Sequence, residues 1–335
     1  MVKNASELMA PVSVDEFVSE YWGRKPLYVP GPPEKLTSMF ARESYFDFAA
    51  SPRSDLFIGK ADSTGHFHQL GVSLYQARAL YRLGFTIQME DLHWSCTPVR
   101  ELLAGVKKEV GLFQSLEAAA FVSPPSTGYG VHFDPNPDAW ALQIAGTKRW
   151  RLSRQAAAPH PLIHQTLQPG RKPAGDPHVD LERPDESDFM EVELTPGDVL
   201  YFPGGCWHTA EANEESCHVL LASQNTPWTD FLFDHVKDQL LYQADWRQVP
   251  PRHAAWPLTM SQVLEQRRGE LIKAVEALDC SPDGDLMKAF LQKAQLGDAQ
   301  EADQLSPWAY RASPVTYGRA EGLIDRETEK SISAT

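Results

Sequence analysis

Apolar positions recur along this chain with two different periods, and the periods change by region. In the first 110 residues short helical patterns dominate. Ser13-Val-Asp-Glu16 has the form of a capping box and predicts a short helix through Tyr21. Helices are also expected over 72–83 and 98–110, the second with Thr97 as N-cap, Pro98 at its first position and Gly111 at its end. Between them, residues 56–70 read as two strands about a turn at Asp62-Ser-Thr-Gly65. From residue 121 period two takes over. Residues 139–152 read as a β-hairpin with its turn near Ala145-Gly146-Thr147. In the second arm Lys148, Trp150 and Leu152 share one face, and Arg149 and Arg151 the other. After about residue 228 the pattern turns helical again. Residues 261–279 and 285–296 carry apolar positions at helical spacing: Leu264, Leu271, Val275 and Leu278, then Leu286, Met287, Phe290 and Ala294.

Punctuation residues sharpen this outline. Leu194-Thr-Pro-Gly-Asp198 has Pro and Gly where a type II turn wants them. A strand follows over 199–202, Pro203-Gly204-Gly205 breaks it, His208 comes next, and an apolar strand resumes over 218–224. Turn, strand, break, histidine and strand are how a β-barrel delivers a side chain to its mouth. Residues 153–190 lack periodicity and are rich in Pro, His and charge, as expected of a loop insertion that selects substrate or simply covers a surface. Within it His160 and His164 are four apart and would share a helix face, but Pro159 and Pro161 argue against a helix and so against a metal pair there.

The candidate chemistry lies in His132-Phe133-Asp134. On an extended strand His132 and Asp134 project to one side and Phe133 to the other. One imidazole and one carboxylate at this spacing, closed by the distant His208, form a two-His-one-carboxylate set that leaves coordination positions open. A structural zinc site would fill all four positions. Lys148 sits on an otherwise apolar face, so it either snorkels from a strand end or grips an anion beside the metal. Cys206, two residues before His208, could share its face, though small apolar packing suits a site that needs open positions. Trp140, Trp150 and Trp207 are candidates for walls of the site or for core.

At these residues the chain resembles the JmjC-type, or cupin-4, family of Fe(II)/2-oxoglutarate oxygenases, and within it the ribosomal-oxygenase branch. The matching stretches are Ser123-Pro-Pro with Gly128-Tyr-Gly-Val-His-Phe-Asp134, then Gln143-Ile-Ala-Gly-Thr-Lys-Arg-Trp-Arg-Leu152, and Leu194 to His208. The segment from Phe17 to Tyr28 is similar too. The resemblance implies an α+β protein with a double-stranded β-helix (jelly-roll, cupin) core, buttressing helices and a helical C-terminal region. It implies Fe(II) on His132, Asp134 and His208, with 2-oxoglutarate and O2 as co-substrates. Lys148 would pair with the far carboxylate of 2-oxoglutarate, and Ser223 stands near a position that assists it. The substrate implied is a protein or peptide side chain, such as a residue of a ribosomal protein. The C-terminal helices would mediate a homodimer. A peptide hydroxylase of a natural-product pathway and a metal-holding cupin that only binds a ligand are the alternatives.

Bulk properties narrow the classes. The 335 residues fit one large domain or two smaller ones. We expect an oxygenase domain over 1–227, a helical region over 228–318 and a frayed polar tail over 319–335. The net charge is −14 and no cluster of basic residues exceeds short pairs such as Lys107-Lys108, which argues against direct nucleic-acid binding. Four cysteines without close pairing suggest no disulfide framework and a reducing, cytoplasmic setting. No signal peptide or membrane-spanning run of some eighteen apolar residues is read from the sequence.

Overall fold

The computed structural model describes residues 2–51, 54–61, 67–112, 114–167, 181–224, 226–249 and 256–295. The described residues fall into two compact units, divided between Asn225 and Thr226.

The first unit is built on two antiparallel sheets. Its strands are β1 Leu27–Val29, β2 Leu56–Ala61, β3 Phe67–Gly71, β4 Thr86–Met89, β5 Leu116–Ser123, β6 Gly128–Phe133, β7 Asp138–Ala145, β8 Lys148–Ala156, β9 Gln165–Thr166, β10 Phe189–Leu194, β11 Val199–Pro203, β12 Cys206–Ala212 and β13 Ser216–Ser223. The larger sheet runs β1-β11-β7-β13-β5-β4-β2-β3 and the smaller β10-β8-β12-β6-β9. From β5 onward successive long strands tend to change sheet, which is the winding of a double-stranded β-helix.

This winding corrects one expectation. β7 and β8 are joined by a two-residue turn, yet they do not pair. Instead β7 lies between β11 and β13, and β8 between β10 and β12. The connection crosses from one sheet to the other. Period two and a Gly-containing turn are common to a hairpin and to a jelly-roll corner, so the local pattern could not separate them. Gly146 makes the corner with φ +63, and a Cβ there would lie 2.1 Å from the Glu215 carbonyl oxygen.

Alternation sorts each strand's residues to two sides. On the larger sheet Ala118, Ala120, Val122, Trp140, Leu142, Ile144, Val199, Tyr201, Val219 and Leu221 face a core shared with the N-terminal helices. The opposite faces turn into the barrel, where Ala139, Ala141, Leu200 and Phe202 meet Trp150, Leu152, Leu194 and Ala210 from the smaller sheet. The helices expected over 72–83 and 98–110 are present. Leu74–Arg82 opens on a full capping box between Ser73 and Gln76. Thr97–Val110 carries Pro98 in its first turn and ends on Gly111 in the left-handed region, but its N-cap position belongs to Cys96, one residue before Thr97. Ser13 accepts from the Glu16 amide and starts a helix that finishes as a π turn over Phe17–Tyr21. Strands β2 and β3 stand where 56–70 predicted two strands, while the turn at 62–65 lies outside the described residues.

The insertion is partly structured. Strand β8 runs on to Ala156, β9 adds to the edge of β6, and Ala158, Leu167 and Leu181 pack on Phe133 and Trp207 over the outer side of the smaller sheet. Residues 168–180 are outside the described residues. The second unit contains the helices Trp228–Leu241, Trp256–Glu276 and Asp285–Gln295. Of the expected C-terminal region and tail, 296–335 also lie outside the described residues. Among those described, no helix is long and apolar enough to cross a membrane.

Candidate active site

His132 and His208 come from neighbouring strands in direct register, β6 and β12. Their rings are 4.2 Å apart between centroids. Each ring has its Nδ1 against a nearby carbonyl oxygen, that of Gly130 at 2.7 Å and of Cys206 at 2.9 Å. A neutral imidazole donating from Nδ1 keeps its lone pair on Nε2. Those Nε2 atoms lie 3.9 Å and 3.7 Å from Asp134 Oδ2. Donors sharing one small ion sit roughly 3–4 Å apart, given bonds of about 2 Å. Phe133, pointing the other way, packs edge-on against Trp207.

The breaker between β11 and β12 holds the carboxylate end of this group. Gly205 donates its amide to the Asp134 carbonyl at 3.2 Å, and Gly204 donates to Pro137 at 2.9 Å. A Cβ on Gly204 would lie 2.3 Å from the Asn136 carbonyl oxygen, so the loop after Asp134 can sit this close only to a glycine. A cleft lined by Asp134, Asn136, Phe202, Gly205, His208 and Leu220 opens beside the cluster.

Deeper in the barrel the inward face of β8 runs from Leu152, opposite His208, through Trp150 to Lys148, opposite Ala212. Four residues of strand span about 13 Å. Lys148 is buried, and its Nζ lies 3.2 Å from Ser123 Oγ and 3.5 Å from His218 Nδ1. The His218 ring stacks on Phe121 at 4.6 Å. No carboxylate among the described residues pairs with Lys148. Burial accordingly lowers its ammonium to about 7. Burial and the neighbouring Lys148 push His218 well below the usual imidazole range, so it stays neutral. Burial likewise lowers His208 to about 3. Burial would raise the Asp134 carboxyl, but the imidazoles of His132, His164 and His208 together hold it below its ordinary value.

Residues 104–231 match the JmjC domain family. These residues carry a JmjC domain. Curated relatives include an uncharacterised Bacillus subtilis protein, YxbC, 25% identical over 259 residues, or 73% of this chain and 78% of that one. Chicken ribosomal oxygenase 1 is 30% identical over 240 residues, covering 67% of this chain and 37% of its own length. The chain thus spans little more than a third of that relative. Among solved structures, the Escherichia coli ribosomal oxygenase YcfD in complex with cobalt and 2-oxoglutarate superposes with a TM-score of 0.52 at 19% identity, over 85% of this chain and 71% of that one. This likeness is one of fold. The JmjC family is one of 2-oxoglutarate-dependent oxygenases that use Fe(II), 2-oxoglutarate and O2.

Within the JmjC domain the structure brings His132, Asp134 and His208 together and aims Lys148 into the same barrel. It does not bring in Ser223. On β13 the inward positions are His218, Leu220 and Ala222, so Ser223 falls on the opposite face with Val219 and Leu221. Its hydroxyl accepts from the Asp138 amide at 2.9 Å. Trp140 is likewise turned to the helix side, against Phe17 and Tyr201, and Trp207 to the outer side; Trp150 alone of the three faces the site, 6.1 Å from the His208 ring. Sequence reasoning missed three polar residues. His218 interrupts the apolar face of a strand, a signal that was present. Ser123 was absorbed into the loop that follows it. His164 stands 3.7 Å from Asp134 Oδ1 with its ring 5.3 Å from that of His132, delivered by strand pairing and not by a helix.

Proposed function

We propose that this protein is an Fe(II)/2-oxoglutarate hydroxylase of a protein or peptide side chain, with a cationic side chain as the preferred target. His132, Asp134 and His208 hold the metal, and Lys148 binds the far carboxylate of 2-oxoglutarate. One observation carries this reading. A lysine is buried in the same barrel as a two-His-one-carboxylate cluster, on a shared inward ladder, with no carboxylate of the described residues to pair with it. A buried ammonium needs an anion, and a dicarboxylate reaching from the metal to the barrel floor supplies one. The donor set fits iron in that it is mixed nitrogen and oxygen and leaves positions open.

When bound, the metal and co-substrate supply the oxidising chemistry: the keto acid loses carbon dioxide to become succinate, taking one atom of O2, and the other enters a substrate C–H bond. The chain positions and shields. The Nδ1 bonds to Gly130 and Cys206 fix both imidazoles with Nε2 inward. Ser123 Oγ, which also accepts from Thr86 Oγ1 at 3.0 Å, orients the Lys148 ammonium. Trp150 and Phe202 keep water from the space between metal and lysine.

The mouth of the barrel favours a cation. Inward-facing Glu90, Gln88 and Tyr129 are linked, the Tyr129 hydroxyl donating to Gln88 at 3.1 Å and Gln88 to Glu90. Burial first, then the neighbouring Glu117 carboxylate, raises Glu90 to about 7; Asp134 contributes as well. A positively charged side chain entering here would favour the ionised form of Glu90 and be held by it. Glu90→Gln is therefore expected to raise KM for a basic peptide on the order of ten-fold, since one charged hydrogen bond contributes about 1.5–3 kcal/mol. Succinate formed without peptide should stay unchanged. A peptide KM that does not move would remove Glu90 from substrate recognition.

The helical unit suits self-association in this reading. Val263, Leu264, Leu271, Ile272 and Val275 are exposed along the helix Trp256–Glu276. Light scattering is expected to give twice the chain mass, and a monomer at micromolar concentration would contradict it. The free cysteines and the ribosomal-oxygenase relatives support a cytoplasmic setting, which localisation of the tagged protein would test.

A further inference from the structure

His164 belongs to none of the motifs that carry the family resemblance, and the structure puts it against the metal cluster by a definite route. Strand β9 pairs antiparallel with the edge of β6, His132 opposite Thr166 and Phe133 opposite Gln165. The Leu167 amide donates to the Val131 carbonyl at 2.8 Å, which extends the ladder on the other side. The register makes His164 the partner of Asp134. Its Nε2 then stands 3.7 Å from Asp134 Oδ1. His132, Asp134 and His164 each offer a ligand atom, and all three atoms lie within 4.8 Å of one another, the spacing at which one ion can be shared. The oxygens divide the work: His132 and His208 face Oδ2, whereas His164 faces Oδ1. The side chain is 43% exposed, so it can move. His160, on the same insertion, is not a member of this group.

Resting on the metal-site reading above, we infer that His164 is a fourth, displaceable metal ligand, which binds an open position of the resting centre and gives it up to 2-oxoglutarate. Three protein ligands leave three positions on a six-coordinate ion. The co-substrate's keto acid would take two and oxygen the third, so a fourth imidazole would hold a position that co-substrate and oxygen together need, and its release on co-substrate binding would open the site to oxygen. Such a ligand keeps the resting metal bound and limits its exposure to oxygen and water. It also couples the site to the insertion, because anything that lifts β9 from β6 withdraws the ligand.

The test compares wild type with His164→Ala and His164→Gln, each made metal-free and titrated anaerobically with Co(II). Imidazole is a stronger-field ligand than the water that would replace it, so the visible bands of the wild-type complex should lie at shorter wavelength than those of both variants. Co(II) affinity in the variants should fall by about ten-fold, the lower end of what supporting groups around a metal contribute. Saturating 2-oxoglutarate should make the three spectra coincide. Identical spectra before the co-substrate is added would overturn the inference whatever the affinities, and would leave His164 as a neighbour that only orients Asp134. A wild-type difference that survives saturating 2-oxoglutarate would overturn displacement. If wild type bound no Co(II) at all, the metal-site reading itself would fall, a result distinct from either of these.

Discussion

Asp134→Ala should abolish 2-oxoglutarate turnover while leaving the fold unchanged. The carboxylate is the anionic member of the set, and the imidazoles that hold its carboxyl below the ordinary value are the groups a divalent ion would draw together. Its removal takes one of three ligands and the charge that offsets the metal, so iron affinity should drop by well over the hundred-fold that even a supporting residue can cost. The fold does not depend on it. Its side chain is 32% exposed and belongs to no apolar cluster. Circular dichroism and the melting temperature of the metal-free protein should therefore match wild type within a few degrees. Succinate release at the wild-type rate with iron still bound would show that Asp134 is not a ligand.

Lys148 gives the second large effect, and it acts in opposite directions on stability and binding. Truncating one partner of a buried charge pair typically costs 2–5 kcal/mol, so the Kd for 2-oxoglutarate in Lys148→Met should rise on the order of a hundred-fold. Without co-substrate the same change should stabilise the protein. Burial lowers the amine from 10.5 to about 7, a difference of about 3.5 that corresponds to a penalty on the order of 5 kcal/mol for the charged form. Because the folded state releases this proton before the unfolded state does, the penalty is complete below pH 7, shrinks as pH rises and is gone above the unfolded value of 10.5. The advantage of Lys148→Met in urea denaturation should follow that curve. Binding the dianion recharges the amine, so at pH 8 wild type should take up close to one proton on binding 2-oxoglutarate, seen by calorimetry in buffers of different ionisation enthalpy. Loss of neither affinity nor proton uptake in the variant would exclude Lys148 from the co-substrate site.

The parts of this site that were legible in the sequence are those written in period two on a single strand. His132 and Asp134 share a face because they are two apart, and Lys148, Trp150 and Leu152 turn inward together for the same reason. The Pro-Gly-Gly break announced itself through residues that only a sharp approach requires. What was not legible depends on which strands lie side by side. The corner at Gly146 looks like a hairpin locally, and only the global winding sends β8 to the other sheet. Ser223 lies close in sequence to inward residues but is one residue out of phase with them, and a single step flips the face. His164 reaches Asp134 through a two-residue strand too short to carry a period. The two prolines beside His160 correctly argued against a helix, yet absence of a helix did not mean absence from the site.

In the proposed mechanism one barrel binds metal and 2-oxoglutarate together, with Lys148 at its floor. Its most direct measurement is anaerobic addition of Fe(II) and then 2-oxoglutarate to the metal-free protein, followed by visible absorption. Wild type should show the metal-to-ligand charge-transfer band of the keto-acid chelate, and Lys148→Ala should lose it at the same co-substrate concentration. Iron that binds without producing the band would contradict the account, and would make the protein a metal-holding barrel with some other ligand.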